Sequence, residues 1–363
     1  MENMVRLQKD NLRIALLHRF PIDQIKETNA AFPFLAHQVD TLTFKAFNRS
    51  NKWKKLLKSL WWVLYAWTKV IGKGYDVIYC DDSFPFYPIL VRLACPKAKL
   101  VLRLGDFHLM YYCSGFLYRI LHAIEKIGWR MADLILPISQ TMQDLLHEED
   151  FDKTVLVLDP VDIDRFPVRE KREITRPLAV VFHGTIEPSK GLDVIVEAAR
   201  LMPEARFTIC GAGSDLQRLN ENAPPNIEFT GWIPHNEIMD FVSSVADVGI
   251  AIRSNNRGNQ YVVTSAWLQY LAMGIPCVAS DRLLLREMNY PYLFKTSRDL
   301  VLLLNEISNG SRYCMDDWVR YVRTHHDAKR IAWQIMSLLL SWEDSSPLNY
   351  STISMPRAIR TSS

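Results

Sequence analysis

The sequence predicts an α/β protein built from two doubly wound domains, each with a mostly parallel β-sheet. The chain has 363 residues, which is too long for one compact core and sufficient for two domains of ordinary size. Short apolar runs alternate with helical segments along most of the chain, which is typical of βαβ units. One charged stretch without apolar periodicity, Arg169–Pro177, interrupts the alternation and is the predicted linker.

The first predicted domain comprises residues 1–168. Its strands are predicted from short apolar runs at Leu12–Leu17, Val77–Tyr79, Leu100–Leu104, Leu134–Pro137 and Val155–Leu158. Helices are predicted between them at Lys52–Gly72, Phe116–Met131 and Thr141–Glu148.

The second predicted domain comprises residues 178–326. Strands are predicted at Ala179–Phe182, Arg206–Cys210, Ile227–Phe229, Val248–Ile252 and Cys277–Ala279. Helices are predicted at Leu192–Leu201, Asn236–Val242, Ser265–Met273 and Asp299–Ser308. A last helix at 327–342 has one apolar face and is expected to pack back on the first domain, and the polar, Ser-rich residues 343–363 are an expected disordered tail.

Composition limits the classes of function. Hydrophobic residues make up 48% and charged residues 23% of the chain, which indicates a folded globular protein. A net charge of only +3 argues against a nucleic-acid partner. The six cysteines are scattered without zinc-ligand spacing, and no secretory signal or apolar run of about 18–20 residues is found, so a cytoplasmic location is expected.

The first candidate ligand-binding element is the turn His183–Gly191, which follows an apolar strand and precedes a helix. Gly184 lets the backbone approach a ligand, and the helix N-terminus with Lys190 suits a diphosphate. The alternative is an ordinary strand-to-helix turn with a solvated lysine.

A second glycine-containing turn, with Gly211 and Gly213, also follows a strand. Glycine pairs at such turns permit close approach of a ligand. They also occur for packing alone, so this element is weak by itself.

The third element is the polar loop Ser254–Tyr261, which lies just before a helix that Thr264 or Ser265 is expected to cap. Gly274 closes that helix. A polar loop at the carboxyl end of a strand in an open α/β sheet is a common ligand site.

These elements, taken in order, resemble the C-terminal domain of GT-B glycosyltransferases, in particular the retaining family 4. The matching segments are HGTIEPSKG, ICGAGS, FTG, ADVGIAIRS and LQYLAMGIPCVAS, between about Phe182 and Glu287. The resemblance implies two Rossmann-like domains that face a central cleft. It also implies a nucleotide-diphosphate sugar held by the C-terminal domain, an acceptor held by the N-terminal domain, and retention of the anomeric configuration.

The sequence departs from the family pattern at the donor site. Tyr261 and Gln269 stand where the family has the two glutamates of E-x7-E, and Thr185 stands where it has an arginine. Gln269 can still hydrogen-bond a ribose hydroxyl. Tyr261 cannot replace a carboxylate, so either sugar recognition differs or Asn259 or Gln260 takes that role.

Asp106 and His108 are the candidate catalytic residues of the first domain. They follow the strand Leu100–Leu104, at a turn that resembles the one where family members place an Asp or His at the cleft. The alternatives are a turn residue and a partly exposed histidine.

The sequence therefore predicts a hexosyltransferase that needs no cofactor and no metal, since no D-x-D motif follows a strand. Its expected partners are a nucleotide sugar and a lipid or glycan acceptor. Two alternatives stay open. One is a degenerate GT-B module that binds a partner or a sugar nucleotide without turnover, which the missing glutamates favour, and the other is a sugar-nucleotide epimerase.

The segment Lys52–Lys73 combines lysines with several tryptophans. Such a helix can lie on an anionic membrane, which would make the protein peripheral, or it can simply pack on a sheet.

Overall fold

The structure is a computed structural model that describes residues 13–18, 39–43, 67–68, 70–81, 87–107, 109–110, 114–166, 168–169, 174, 176–234, 237–310 and 316–340. The described residues divide into two compact units. The first contains the chain up to Pro160 together with the segment from Ala328, and the second runs from Val161 to Asp327.

The first unit contains a five-stranded sheet of order β2-β1-β3-β4-β5, in which all neighbours are parallel. Its strands are β1 (Ile14–His18), β2 (Val39–Thr43), β3 (Val77–Asp81), β4 (Lys99–Leu104) and β5 (Leu134–Pro137). Its helices are α1 (Tyr87–Ala94), α2 (Gly115–Met131), α3 (Gln140–Glu148) and, after the second unit, α11 (Ala328–Leu340).

Helix α11 covers one face of the first sheet. Its apolar residues Ile331, Ile335 and Leu338 pack in one core with Ile14 and Val101. These residues recur at three- and four-residue spacing, which places them on one side of the helix. The last helix predicted from the sequence therefore belongs to the first unit.

The second unit contains a six-stranded, all-parallel sheet of order β11-β10-β9-β6-β7-β8. Its strands are β6 (Ala179–His183), β7 (Arg206–Cys210), β8 (Ile227–Gly231), β9 (Val248–Ala251), β10 (Cys277–Ser280) and β11 (Leu293–Phe294). Its helices are α4 (Asp193–Leu201), α5 (Leu216–Glu221), α6 (Ile238–Val245), α7 (Ser265–Ala272), α8 (Leu283–Glu287), α9 (Ser297–Ser308) and α10 (Asp316–His325).

Both faces of the second sheet are covered. Val180 and Phe182 of β6 pack in a core with residues of α4 and α9, whereas Val181 between them packs in the opposite core with α6, α7 and α10. Successive side chains of a strand point to opposite faces, so a strand buried on both faces needs a continuous apolar run. The predicted fold class, two doubly wound α/β halves, is confirmed.

The division between the units falls at Pro160, before the expected linker at 169–177. Val161 and Phe166 are buried in the core of the second unit, and the Arg169 amide donates to the Met273 carbonyl oxygen at 3.0 Å. These apolar and backbone contacts attach Val161, Phe166 and Arg169 to the second unit. Residues 170–173 and 175 lie outside the described part.

Two sequence expectations differ from the structure in the first unit. Val155–Leu158 is not a regular strand, although the Val155 and Val157 amides donate to the Ile135 and Pro137 carbonyl oxygens at 3.0 Å each. Strand β2 and helix α1 were not predicted, because each is a short run without a clear period.

The predicted Lys52–Gly72 helix lies almost wholly outside the described residues, as does the predicted tail at 343–363. Among the helices that are described, none is long and apolar enough to cross a membrane.

Candidate functional site

The candidate site lies at the carboxyl edge of the second sheet. Because β6, β7 and β9 are parallel, the loops that follow them emerge at the same edge. We refer to residues 184–192 as the β6 loop, 211–215 as the β7 loop and 252–264 as the β9 loop.

The β6 and β7 loops pack backbone against backbone. The Ile186 amide donates to the Ala212 carbonyl oxygen at 3.0 Å, and the Asp215 amide donates to the Ile186 carbonyl oxygen at 3.1 Å. A Cβ atom at Gly211 would lie 1.9 Å from the Gly184 carbonyl oxygen, and one at Gly213 would lie 1.7 Å from that of Ile186. Both glycines are therefore required by loop packing, whether or not a ligand is bound.

Glu187 joins the same two loops through its side chain. Its carboxylate accepts a hydrogen bond from the Ser214 amide at 3.2 Å and another from the Ser214 hydroxyl. Glu187 directly precedes the short 3₁₀ helix Pro188–Lys190, so these bonds attach the start of that helix to the β7 loop.

The β6 and β9 loops also touch. The Ser254 amide donates to the Ser189 carbonyl oxygen at 3.2 Å. Gly191 has a φ of 72°, and a Cβ atom there would lie 3.7 Å from the Ser254 Cα atom. Lys190 ends the 3₁₀ helix in a half-buried position, while Thr185, in the arginine position of the family pattern, is exposed. Lys190 thus lies between two residues of the β6 loop, Ser189 and Gly191, that adjoin Ser254 of the β9 loop.

The side chain of Asn259 organises the β9 loop. Asn259 is 2% exposed; its amide nitrogen donates to the Ser254 carbonyl oxygen at 2.7 Å, and its amide oxygen accepts from Arg253 at 3.3 Å. Its backbone amide donates to the Asn256 side chain at 2.9 Å. The predicted ligand contact at Asn259 therefore has a structural use in this loop.

Gln260 and Thr264 also have partners within the protein. The Gln260 side chain donates to Asn255 at 2.8 Å and accepts from the Leu283 amide at the start of α8 at 3.0 Å. Thr264 caps α7 as predicted, since its hydroxyl accepts from the Trp267 amide at 3.1 Å. Tyr261 is half-buried and Ser265 is exposed.

Gln269 behaves differently from these neighbours. It lies in the second turn of α7 and is only 3% exposed, yet its side-chain amide makes no hydrogen bond within the described part of the chain. The adjacent Tyr270 is fully buried, donates to the Val181 carbonyl oxygen at 2.9 Å and meets the His183 ring edge-on at 5.0 Å. Burial raises the pKa of the Tyr270 hydroxyl well above its usual value, so this group stays protonated.

A buried arginine at this edge was missed by sequence analysis. Arg282 is 2% exposed and donates to the Val262 carbonyl oxygen and the Ser280 hydroxyl, each at 3.0 Å. The same hydroxyl accepts from the Arg253 amide at 3.1 Å. The Ser280–Asp281–Arg282 sequence has the composition of a solvated turn, so only the tertiary contacts reveal this cation.

The first unit contributes one described candidate residue. Asp106 is half-buried in the loop after β4, and His108 lies outside the described residues. Nearby, the guanidinium of the buried Arg103 donates to the Asp159 carboxylate at 3.0 Å. Within the described ranges, no group of three or more His, Cys, Asp or Glu side chains could hold a metal ion.

Comparison with known sequences finds similarity within the second unit. Residues 177–297 match the family Glycosyl transferases group 1. The chain is 27% identical to a glycogen synthase of Mycobacterium tuberculosis (strain CDC 1551 / Oshkosh) over 140 residues. This alignment covers 35% of this chain and 34% of that protein. The chain thus aligns with about a third of the length of this curated relative.

Comparison with solved structures covers nearly the whole chain. The sucrose-phosphate synthase of Thermosynechococcus elongatus matches 93% of this chain and 100% of its own with a TM-score of 0.74 at 15% identity. The lipopolysaccharide outer core galactosyltransferase WaaB matches 91% of this chain and 100% of its own with a TM-score of 0.63 at 16% identity. The chain has the GT-B fold. Within that fold, residues 177–297 are similar to the group 1 glycosyltransferases.

Proposed function

We propose that this protein transfers a hexose from a nucleotide-diphosphate sugar to an acceptor hydroxyl, with retention of the anomeric configuration. The second unit binds the donor, and the first unit binds a lipid or glycan acceptor near Asp106. The reaction needs no divalent metal, because a lysine and backbone N–H groups stabilise the departing diphosphate.

Gln269 is the observation that carries this proposal. The Gln269 side chain is mostly buried and makes no hydrogen bond within the described part of the chain, but its amide is not one of the fully buried polar atoms there, so a ligand at this edge can reach it. Gln269 occupies the second glutamate position of the family pattern, and its amide can both donate to and accept from a ribose hydroxyl. A bound nucleoside would satisfy the amide.

Lys190 and the start of α7 suit the diphosphate. Lys190 provides a full positive charge in the β6 loop, and the N-terminus of α7 at Ser265 provides the positive end of a helix dipole. Catalysis then comes from positioning and from stabilising the leaving group, rather than from a protein nucleophile.

The two absent glutamates favour a second candidate, a nucleotide-sugar-binding module without turnover. Tyr261 cannot supply the carboxylate that the family pattern places there. Both candidates require donor binding, and only the first requires product formation.

A thermal-shift screen against UDP, GDP, ADP and their common sugars tests the shared step. A donor present at about 100 times its Kd should raise the free energy of unfolding by about 2.7 kcal/mol. A shift with one nucleotide identifies the base, whereas no shift with any of them, in a folded sample, contradicts donor binding.

Turnover is tested with the donor so identified. Release of the nucleoside diphosphate that depends on an added acceptor supports transfer, and the anomeric coupling constant of the product by NMR reports retention or inversion. Acceptor-independent conversion of the sugar indicates an epimerase, and binding without conversion indicates the module. Unchanged turnover in EDTA is expected, and loss that added Mg²⁺ or Mn²⁺ restores would contradict the metal-independent mechanism.

A further inference from the structure

Helix α2 of the first unit exposes several large apolar side chains. Phe116 is 78% exposed and Leu117 is 56% exposed, and Ile120 and Ile127 are exposed as well. Isolated exposed apolar residues are ordinary, but a group of them on one element marks an interaction surface.

These residues form a continuous stripe. Phe116, Ile120, Ala123 and Ile127 recur every three or four residues, so they lie on one side of the 17-residue helix, with Leu117 beside them. The opposite side is buried through Glu125, Gly128 and Trp129. We call the exposed stripe of Phe116, Leu117, Ile120, Ala123 and Ile127 the α2 face.

The border of the α2 face is basic. Arg119 and Arg130 are exposed on the same side, and Lys126 adjoins them, paired with Glu149 of the chain after α3 at 3.0 Å. Glu125 is the only acid in α2, and it is buried and bound to His122 at 3.0 Å. The helix therefore presents apolar and cationic groups, but no carboxylate of its own, on the exposed side.

The N-terminal end of the α2 face lies at the carboxyl edge of the first sheet. Strands β4 and β5 are parallel neighbours joined through α2, so the helix must start at the edge where β4 ends and run back. Asp106, the proposed acceptor-side residue, lies in that same connection, eight to eleven residues before Ser114–Leu117.

We propose that the α2 face is a docking surface for an anionic membrane. An apolar stripe with a basic border is the pattern of a helix that lies in the lipid interface, where apolar side chains enter the acyl boundary and cations contact lipid phosphates. This inference goes beyond the proposed function. One part of it rests on the proposed function: the acceptor is a lipid-anchored hydroxyl that reaches the carboxyl edge of the first sheet.

A second copy of the chain is a poorer occupant of the α2 face. Association of two copies through the same stripe would bring the basic border of one against that of the other, and like charges oppose such contact. An anionic lipid surface meets both the apolar and the cationic parts.

Cosedimentation of the full chain with vesicles tests the proposal. We expect binding to phosphatidylcholine vesicles that contain about 30% phosphatidylglycerol, weaker binding to phosphatidylcholine alone, and weakening by high salt. The double variant Phe116→Ser/Ile120→Ser should bind at least about tenfold more weakly, because it removes the apolar anchor. The matched control Leu302→Ser changes a side chain that is 63% exposed on α9 of the second unit, and it should bind like the wild type.

Several outcomes would overturn the proposal. One is no vesicle binding by the wild type, and another is equal binding by the double variant. A third is sedimentation velocity in which the wild type and Leu302→Ser are dimers and the double variant is a monomer. The Tm of each variant, measured without ligand, verifies that all are folded. The nucleotide-induced shift in Tm, measured on the same samples, reports the donor site separately, so a failed membrane result is distinguished from a failed proposed function.

Discussion

The β9 loop and helix α7 follow one another in the chain but use their polar side chains in opposite ways. In the loop, the side-chain amides of Asn259 and Gln260 form internal hydrogen bonds, and the Thr264 hydroxyl caps the helix. In the helix, Gln269 is as deeply buried as Asn259 but its amide has no such bond. Residue type and position near the sheet edge are alike in these residues, and the internal hydrogen bonds distinguish Asn259, Gln260 and Thr264 from Gln269.

Substitution at Gly213 should have the largest effect on the scaffold. In Gly213→Ala the new Cβ atom would overlap the Ile186 carbonyl oxygen, so we expect a loss of about 3 kcal/mol or more in the free energy of unfolding. Gly105→Ala is the control, because a Cβ atom there meets nothing within 4 Å. Urea denaturation measures both, and equal stability of the two variants would refute the packing role of Gly213.

Asn259→Ala should be the next largest and should act on stability. It removes the hydrogen bonds that hold the β9 loop and leaves the Ser254 carbonyl oxygen without its donor, which should cost about 2 kcal/mol. A variant that keeps its wild-type free energy of unfolding but loses donor affinity would place Asn259 among the ligand contacts and break the comparison.

Lys190→Ala should act on binding instead. Loss of one charge-assisted contact to the diphosphate should weaken donor affinity by about tenfold or more. Lys295→Ala, which removes an exposed lysine paired with Asp281 at 3.4 Å, is the matched control. Calorimetric titration with the donor nucleotide would contradict the assignment if both variants bind alike.

Gln269→Leu sharpens the comparison with Asn259. Since the amide has no internal partner to lose, the ligand-free protein should keep its stability, while donor affinity should fall by about five- to tenfold. Gln217→Leu on α5, where the side chain is exposed and bound to Glu221 at 2.9 Å, should leave affinity unchanged. A large loss of stability in Gln269→Leu would mean that its amide belongs to the scaffold after all.

His122 gives the smallest predicted effect and shows a polar group whose partners are all internal. Hydrogen bonding to Glu125, supported by Glu149, raises the pKa of His122 above its ordinary value of 6.5 despite burial. Its stabilising contribution is therefore complete below about pH 6.5 and is lost as the pH rises through the folded-state pKa.

Urea denaturation of wild type and His122→Gln between about pH 5.5 and 8.5 should show a difference of about 1 kcal/mol or less, which shrinks as the pH rises. In the Glu125→Gln background the pH dependence should flatten. A difference that grows with pH would have the wrong sign.

The sequence was sufficient where a local pattern determines structure. The predicted bounds of β7 and of β5 agree with the structure, because β-branched and apolar runs between turns define a buried strand. Thr264, one of the two candidate N-caps, and Gly274 were expected at the two ends of α7, since capping chemistry is local; Gly274 has a φ of 72°.

The sequence was insufficient where long-range contacts decide. Asn259 and Gln260 have the composition of ligand contacts, yet Gln260 bonds to Leu283, 23 residues away. Arg282 is buried only because β10 returns beside the β9 loop. The start of the second unit at Val161, before the charged stretch that composition indicated as the linker, is equally invisible to composition.

The return of helix α11 to the first sheet also sets an order of assembly during synthesis. The sheet face that carries Ile14 and Val101 cannot be covered by α11 until the ribosome has made all of Val161–Asp327. At about 5–20 residues per second, synthesis of this segment takes on the order of 10–30 seconds. During that time α11 does not cover the apolar face of the N-terminal sheet. A nascent chain truncated before Ala328 should accordingly bind a chaperone that recognises apolar segments, and release should coincide with the emergence of α11.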